Sequence, residues 1–339
     1  MLRTVRRHVR PRAARSSSSL AQAAFPTSSV TSPEPGRFKG AEVAPVNLLT
    51  EQTYDGHNSI HDSALAAKLG FSEAPIEGPT HFAGLEPLLV AALGKDWLSK
   101  ACLSVHFIAP VFAGERTVAE VVRESSTRAT VTVTKASCGT PVLSGSATTV
   151  DDDPEVPTEV DSRIAAFRPP SQPLVILADV EVGDVVYSEH DAVVMLGGGP
   201  IGDLYPFSLE RKLETTTAPS PFYAGEDVSP WPGQPILPLE MIPPLSLLGG
   251  GRLKQREPVV GMFTDVEIQL TGMPIFAGQR CRVIREVLAL TASPRAEVMA
   301  VRNHLFDVST SEAVAQVTIN IAHLVQSYPT YEAELKELS

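Results

Sequence analysis

Two aspartates and two histidines lie within eight residues of one another in the stretch YDGHNSIHDSALAAKLGF, which covers residues 54–71. They are Asp55, His57, His61 and Asp62. A neutral histidine can remove a proton from water while a nearby carboxylate holds that water, and the ordinary pKa of histidine suits this task. The same residue types also bind metals or cap helices. The spacing therefore allows three interpretations: catalytic groups, metal ligands or a helix cap.

The helix predicted after this stretch argues against a metal site. Asp62 or Ser63 can cap a helix through ALAAKL. A metal site would draw its ligands from His57, His61, Asp62 and His81. Because the helix begins after His61, the two nearer histidines do not share a helical face. We therefore expect no metal, and the helix cap and the catalytic interpretation remain.

The composition of the 339-residue chain excludes several classes of function. It is 43% hydrophobic and 20% charged, as in globular proteins, and its length suits two domains. A net charge of −11 argues against nucleic-acid binding, which requires a basic surface. No apolar run reaches 18 residues, so we expect no membrane span. The three cysteines lack CxxC spacing and are expected to be reduced.

The N-terminal segment has the composition of an organellar import signal. Residues 1–24 contain six arginines and no acid, and they include a run of serines. Residues 25–45 are rich in Pro, Ser and Thr and are expected to be disordered. We predict a transit peptide and leader over residues 1–40, and a destination in the mitochondrial matrix.

The rest of the chain contains an internal repeat. PVFAGER at 110–116 recurs as PIFAGQR at 274–280, 164 residues later. APIEGPTHFAGLEPLL at 74–89 has a weaker counterpart in QPILPLEMIPPLSLL at 234–248, 160 residues later. Two matched blocks in the same order indicate a duplication. The predicted units are a first copy at 41–150, a linker at 151–170, a second copy at 171–327 and a C-terminal tail at 328–339.

Each copy is predicted to contain one long helix followed by four antiparallel strands. In the first copy, apolar residues at 3–4 spacing predict a helix from about Thr80 to Leu93, bent at Pro87. The four strand candidates that follow are LSVHFIA, RTVAEVVRE, TRATVTVTK and PVLSGSATTV. The second copy repeats this order with TDVEIQL, CRVIREVLALT, AEVMAVRNHLF and EAVAQVTINIAHL. The predicted fold class is α+β: two tandem hotdog folds, each a long helix wrapped by a curved antiparallel sheet.

The stretch from Gly56 to Gly78 resembles the signature of MaoC-like hydratases, the R-specific enoyl-CoA hydratase family. That signature is G-D-x-N-P-[LIV]-H, followed by five residues and a small one. Asn58, Ile60 and His61 fit it, and Ala67 occupies the small position. In place of the family's GD this chain has DG, so that Asp55 lies one position early, and a serine replaces the proline.

This resemblance implies reversible hydration of a 2-enoyl thioester carried by CoA or acyl carrier protein. His61 would be the base, and Asp55 would be its carboxylate partner if the loop shifts by one residue. Gly78, with Thr80 near it, would supply backbone N–H donors to the thioester oxygen. Asn58 and His81 would line the same pocket. As alternatives, Asp55 can be a turn residue, Asn58 a loop former and His81 an ordinary helix residue.

Other functions are left open or excluded by particular features. The displaced aspartate also fits a non-catalytic acyl-thioester-binding protein, and a hotdog thioesterase would use similar groups. AVVMLGGGPIG at 192–202 contains G-x-G-x-x-G, but Pro206 lies where the helix of a dinucleotide site must begin. We therefore expect no cofactor. A homodimer is compatible with the sequence.

Overall fold

The computed structural model describes residues 23–50, 52 and 59–338. Most of the predicted transit peptide lies outside these residues, so the import signal and the mitochondrial destination remain predictions. Asp55 and Asn58 also lie outside them. Among the helices that are described, none is both long enough and apolar enough to cross a membrane.

One antiparallel sheet dominates the described part of the chain. Its strands are β1 (Val30–Glu34), β2 (Arg37–Gly40), β3 (Ala101–Phe107), β4 (Thr117–Arg123), β5 (Arg128–Lys135), β6 (Pro141–Thr149), β7 (Val185–Tyr187), β8 (Gly261–Leu270), β9 (Cys281–Ser293), β10 (Ala296–Asp307) and β11 (Ala313–Leu324). The α-helices are α1 (Ser63–Lys68), α2 (Glu86–Leu93), α3 (Glu159–Ala165), α4 (Leu209–Thr215), α5 (Ile242–Leu247) and α6 (Tyr331–Leu338). Short 3-10 helices cover Gly78–Phe82, Lys95–Leu98, Pro221–Ala224, Leu239–Met241 and Val325–Ser327.

The strand order is the same in both directions from the middle of the sheet. The full order is β1-β2-β4-β5-β6-β3-β8-β11-β10-β9-β7. From the central β3–β8 pair, each half therefore continues with its fourth, third and second long strands in turn. Side chains also join the halves, since the His106 ring on β3 donates from Nδ1 to Asp265 Oδ1 on β8 over 2.9 Å. All eight predicted strands are present at these positions.

The repeated FAG blocks form the same turn. In each block the backbone N–H of the phenylalanine donates to the side chain three residues later: Phe112 to Glu115 Oε2 (2.8 Å) and Phe276 to Gln279 Oε1 (3.1 Å). The glycine between these residues has φ +83° in both blocks. The Glu-to-Gln difference preserves the acceptor oxygen, and therefore the turn.

The prediction of one long helix in the first copy is wrong, because the helix is interrupted. Its residues form the 3-10 helix Gly78–Phe82, a turn, and then α2. Pro87 lies at the start of α2 instead of bending a longer helix. Proline has no N–H to donate inside a helix, whereas the first turn requires none. The α2 residues Leu88 and Leu89 are fully buried against the sheet.

The long helix predicted for the second copy is also wrong. The block at 234–248 forms the 3-10 helix Leu239–Met241 and the six-residue α5 instead. Pro243 and Pro244 are tolerated there because they lie in the first turn. The chain then leaves the helix through Gly249, Gly250 and Gly251, all with positive φ.

The prediction of disorder for residues 25–45 is corrected by the hairpin of β1 and β2. Gly36, at φ +81°, forms the turn, and β2 pairs with β4. Phe25 is only 2% exposed and contacts the Tyr223 ring edge-on, with centroids 6.3 Å apart. Backbone pairing to an existing sheet edge orders this segment despite its polar composition.

The predicted linker contains α3, which covers the junction of the two halves. Val160 of α3 is fully buried, and its N–H donates to Ser104 Oγ on β3 over 2.9 Å. The glycine-rich segment at 192–202 has no parallel strand beside it, and α4 begins only at Leu209. That arrangement lacks the strand–turn–helix unit of a dinucleotide site.

Candidate active site

A cavity of about 610 Å³ lies between the two halves. Its wall from the first half includes His61, Glu77, Gly78, His81 and Phe107. Its wall from the second half includes Tyr205, Leu247, Arg285, Val301, Asn303 and His323. Most of the remaining lining is apolar. A largely apolar cavity with a few polar groups is typical of a small-molecule site.

His61 is held in this wall by the residues on either side of it. Asp62 caps α1, as predicted, with its Oδ1 accepting from the Leu65 N–H over 2.7 Å. Ile60 is buried, 5% exposed, in a small apolar cluster. The His61 ring donates from Nδ1 to the Pro75 carbonyl over 2.7 Å. Because a carbonyl only accepts, Nδ1 carries the proton and Nε2 is the basic nitrogen.

Gly78 lines the same cavity at the start of the 3-10 helix Gly78–Phe82. The first N–H groups of such a helix have no acceptor within it. A Cβ atom at this position would lie 2.7 Å from two atoms of the Phe107 ring. A side chain at this position would therefore have to displace the Phe107 ring, and glycine avoids that displacement.

Thr80 and His81 differ in the cavities that they border and in their contacts. The Thr80 hydroxyl accepts from Lys212 Nζ over 2.9 Å and borders a smaller cavity of about 120 Å³, not the large one. His81 borders both cavities, and its buried Nδ1 has no partner in the described part of the chain. Burial, with a contribution from Lys212, lowers the His81 pKa to about 4. His81 is therefore neutral near pH 7.

Glu77 is a cavity residue that the sequence interpretation did not include. Its side chain is 7% exposed, and Oε1 has no hydrogen-bond partner among the described residues. Burial raises the Glu77 pKa to about 7; Lys212 opposes this shift and Glu240 adds to it. The signal in the sequence was a single acid inside the apolar block APIEGP. Buried groups with a shifted pKa are concentrated at functional sites.

A buried ion pair lies beneath this part of the cavity. Lys212 Nζ on α4 is 2.8 Å from Glu240 Oε2, and the Lys212 and Glu240 side chains are 2% and 0% exposed. Glu240 also accepts from the Thr216 hydroxyl over 2.9 Å. The Lys212 ammonium bonds to Thr80 as well, so it joins an element of the second half to the 3-10 helix of the first.

The second half contributes polar groups to its own wall of the cavity. Arg285 on β9 donates to the carbonyls of Leu248 (2.6 Å) and Gly250 (2.7 Å), and thus fixes the triple-glycine loop. Asn303 Oδ1 and His323 Nδ1 are buried without partners in the described structure. Burial lowers the His323 pKa to about 4, so this ring is also neutral near pH 7.

The described residues contain no group of three or more His, Cys, Asp or Glu side chains arranged to hold a metal ion. Of the predicted site residues, His61, Gly78 and His81 share the large cavity, and Thr80 lies beside it. Asp55 and Asn58 lie outside the described residues, and their roles remain predictions.

No family model and no curated protein sequence matches the chain. Solved structures do match it. Rv0216 of Mycobacterium tuberculosis, described as a double hotdog fold, has 14% identity and a TM-score of 0.49, covering 84% of this chain and 96% of its own. A MaoC-like dehydratase has 15% identity and a TM-score of 0.47, covering 89% and 99%.

The dehydratase domain of PpsC from M. tuberculosis, solved in complex with C12:1-CoA, has 10% identity and a TM-score of 0.45, covering 89% of this chain and 99% of that one. At identities of this size, similarity concerns the course of the chain and not the side chains of a site. This chain is thus similar to MaoC-like dehydratases and double hotdog proteins, at low identity and with TM-scores below 0.5.

Proposed function

We propose that this protein is an acyl-thioester hydratase or dehydratase, which reversibly adds water to a 2-enoyl thioester. The observation that carries the proposal is the His61 ring on the cavity wall, whose Nδ1 donates to the Pro75 carbonyl, so that Nε2 is its basic nitrogen. We interpret the two halves of the sheet as tandem hotdog folds, of which the first supplies the catalytic groups and the second most of the acyl-binding wall.

The cavity has the properties that this reaction needs. Its volume of about 610 Å³ falls within the range of about 300–1,000 Å³ for small-molecule sites. Apolar walls accommodate an acyl chain, and the acyl group would be delivered on CoA or acyl carrier protein. The N–H groups at the start of the Gly78–Phe82 helix would donate to the thioester oxygen, where negative charge develops.

His61 would then activate the water. Its Nε2 takes a proton from water as the oxygen attacks the β-carbon of the enoyl group. The bond from Nδ1 to Pro75 fixes the ring in the tautomer that can do so. His81, neutral and buried behind Gly78, borders the same cavity and would contribute to its polarity.

Incubation of the protein with crotonyl-CoA tests this proposal. The expected product is 3-hydroxybutyryl-CoA. His61→Ala should lower the hydration rate by about 10²–10⁴-fold, the usual contribution of a general base. His304→Ala is the matched control, because that ring lies on β10 and not on the cavity wall, 3.7 Å from Glu286 and stacked on the Phe306 ring.

The alternatives give different products in the same assay. Release of free CoA thiol would identify a thioesterase. Binding of crotonyl-CoA without any product would identify a non-catalytic acyl-thioester-binding protein. Wild-type hydration that survives His61→Ala unchanged would contradict the assignment of His61 as the base.

A further inference from the structure

We propose that Glu77 is the acid that delivers a proton to the α-carbon of the enoyl group. This inference rests on the proposed hydratase function. It assigns the carboxyl partner of His61 to Glu77, which directly precedes Gly78, instead of to Asp55.

The backbone holds Glu77 firmly in the cavity wall. The Ile76 N–H donates to the Val111 carbonyl over 2.7 Å, and the Thr80 N–H donates to the Glu77 carbonyl over 3.2 Å. The next residue, Gly78, is fixed against the Phe107 ring. Glu77 is thus placed on ordered backbone, in the same cavity as His61.

Its carboxyl group has fewer partners than those of three other buried glutamates. Glu86 accepts from the Tyr223 hydroxyl, and Glu240 is paired with Lys212. Glu297 accepts from two backbone N–H groups and a tyrosine hydroxyl. Glu77 Oε1 is buried with no partner in the described part of the chain. Buried polar groups are nearly always hydrogen-bonded. An unpaired oxygen on a residue of the cavity wall therefore indicates that this carboxyl group serves something other than the packing of the protein.

The charges around Glu77 support a proton donor. Burial is the largest influence and raises its pKa, Glu240 raises it further, and Lys212 lowers it, to give about 7. His81, the nearest titratable group on its own helix, is neutral. Glu77 is therefore protonated in a large fraction of molecules at neutral pH, as a general acid must be.

The step balances without any further reactant. His61 Nε2 takes one proton from water, and the water oxygen bonds to the β-carbon while the C=C π bond breaks. The electron pair moves towards the thioester oxygen, and the α-carbon takes the proton from the Glu77 carboxyl group. The proton on His61 then returns through solvent to the Glu77 carboxylate.

Glu77→Gln tests this role, because glutamine keeps the size of the side chain and cannot donate an acidic proton. We expect crotonyl-CoA hydration to fall by about 10²–10⁴-fold, with Glu77→Asp retaining more activity. Glu86→Gln is the matched control: it makes the same change at an equally buried carboxyl that does not line the cavity. Equal melting temperatures of the two Gln variants would separate catalysis from folding.

A pH profile provides a readout that a structural role would not give. Wild-type hydration should decline as pH rises through about 7, where Glu77 loses its proton. The residual activity of Glu77→Gln should lack this decline. Hydration by Glu77→Gln at the wild-type rate would overturn the inference and leave the hydratase proposal standing.

Exchange of the α-hydrogens of butyryl-CoA in deuterated water separates the two proposals fully, since this saturated substrate cannot be hydrated. Exchange by the wild type and by His61→Ala, but not by Glu77→Gln, supports Glu77 as the α-carbon acid and base, even if crotonyl-CoA is not hydrated. Exchange by Glu77→Gln at the wild-type rate overturns it. Absence of both exchange and hydration in the wild type would overturn both proposals.

Discussion

Gly78 shows how one residue without a side chain shapes the site. The Phe107 ring packs where a Cβ atom would be, and Phe107 itself stacks on Phe82 with centroids 6.0 Å apart. Phe82 is fully buried, whereas Phe107 also borders the cavity. The glycine therefore allows the start of the helix to approach the end of β3, and this contact forms one edge of the cavity.

Gly78→Ala should destabilise the protein by about 1–3 kcal/mol, the usual cost of overpacking, and should lower hydration because the helix start shifts. Gly84→Ala is the control, since its Cβ would meet Ala119 Cβ at an ordinary 3.6 Å. It should be neutral or stabilise by about 0.4–1 kcal/mol. Urea denaturation measures both, and equal losses in the two variants would contradict the steric explanation.

At the scale of elements, the buried Lys212 side chain connects α4 to the first half by a hydrogen bond to Thr80. Ser208 caps α4 by accepting from the Arg211 N–H over 3.2 Å. This places Lys212 one turn inside the helix, facing Glu240 and Thr80. Its Nζ also lies 5.9 Å from the centroid of the Phe207 ring. A buried ion pair is costly to form but specific in geometry. This pair lies within the second half, and the bond from Lys212 to Thr80 extends it to the first.

Lys212→Met should therefore lower the free energy of unfolding by about 3–5 kcal/mol, because it leaves Glu240 charged and unpaired in the interior. The double variant Lys212→Met with Glu240→Gln should recover a large part of this loss, because neither remaining group is charged. A double-mutant cycle by urea denaturation measures the coupling. Losses that simply add would show that the two side chains do not interact.

At the scale of the whole molecule, buried ionisable groups should give stability a maximum in pH. Glu77 and Glu86 have pKa values raised by burial to about 7 and about 8. Their unfolded values are lower, so their contribution is complete below about pH 4.5 and is lost as pH rises through 7 and 8. His81 and His323, with pKa values lowered to about 4, contribute above about pH 6.5 and lose stability as pH falls towards 4.

Glu86→Gln should flatten the alkaline side of this profile. Glutamine cannot ionise, and its carbonyl can still accept from Tyr223 and from the Leu239 N–H, which bond to Glu86 Oε2 over 2.9 and 3.2 Å. The melting temperature of this variant should fall less between pH 6 and pH 9 than that of the wild type. An unchanged slope would show that Glu86 does not ionise in this range.

Features that depend on neighbouring residues could be predicted from the sequence alone. The alternation in β5 puts Val131 and Val133 in the core, and β4 and β9 alternate in the same way. Asp62 caps its helix by bonding to the residue three positions later. Each repeated block closes its turn by a hydrogen bond between residues that are also three positions apart. These interactions involve residues that the sequence already places together, so their pattern is visible in it.

Only the tertiary structure decided the site and the continuity of the helices. Glu77 lies in an interior that Lys212 and Glu240 help to define, and Lys212 reaches the first half across a sequence separation of 132 residues at Thr80. The β1–β2 hairpin is ordered by the edge of β4, which follows it by about eighty residues in the chain. A residue's pKa and a segment's order depend on burial and on distant partners, and local patterns contain neither.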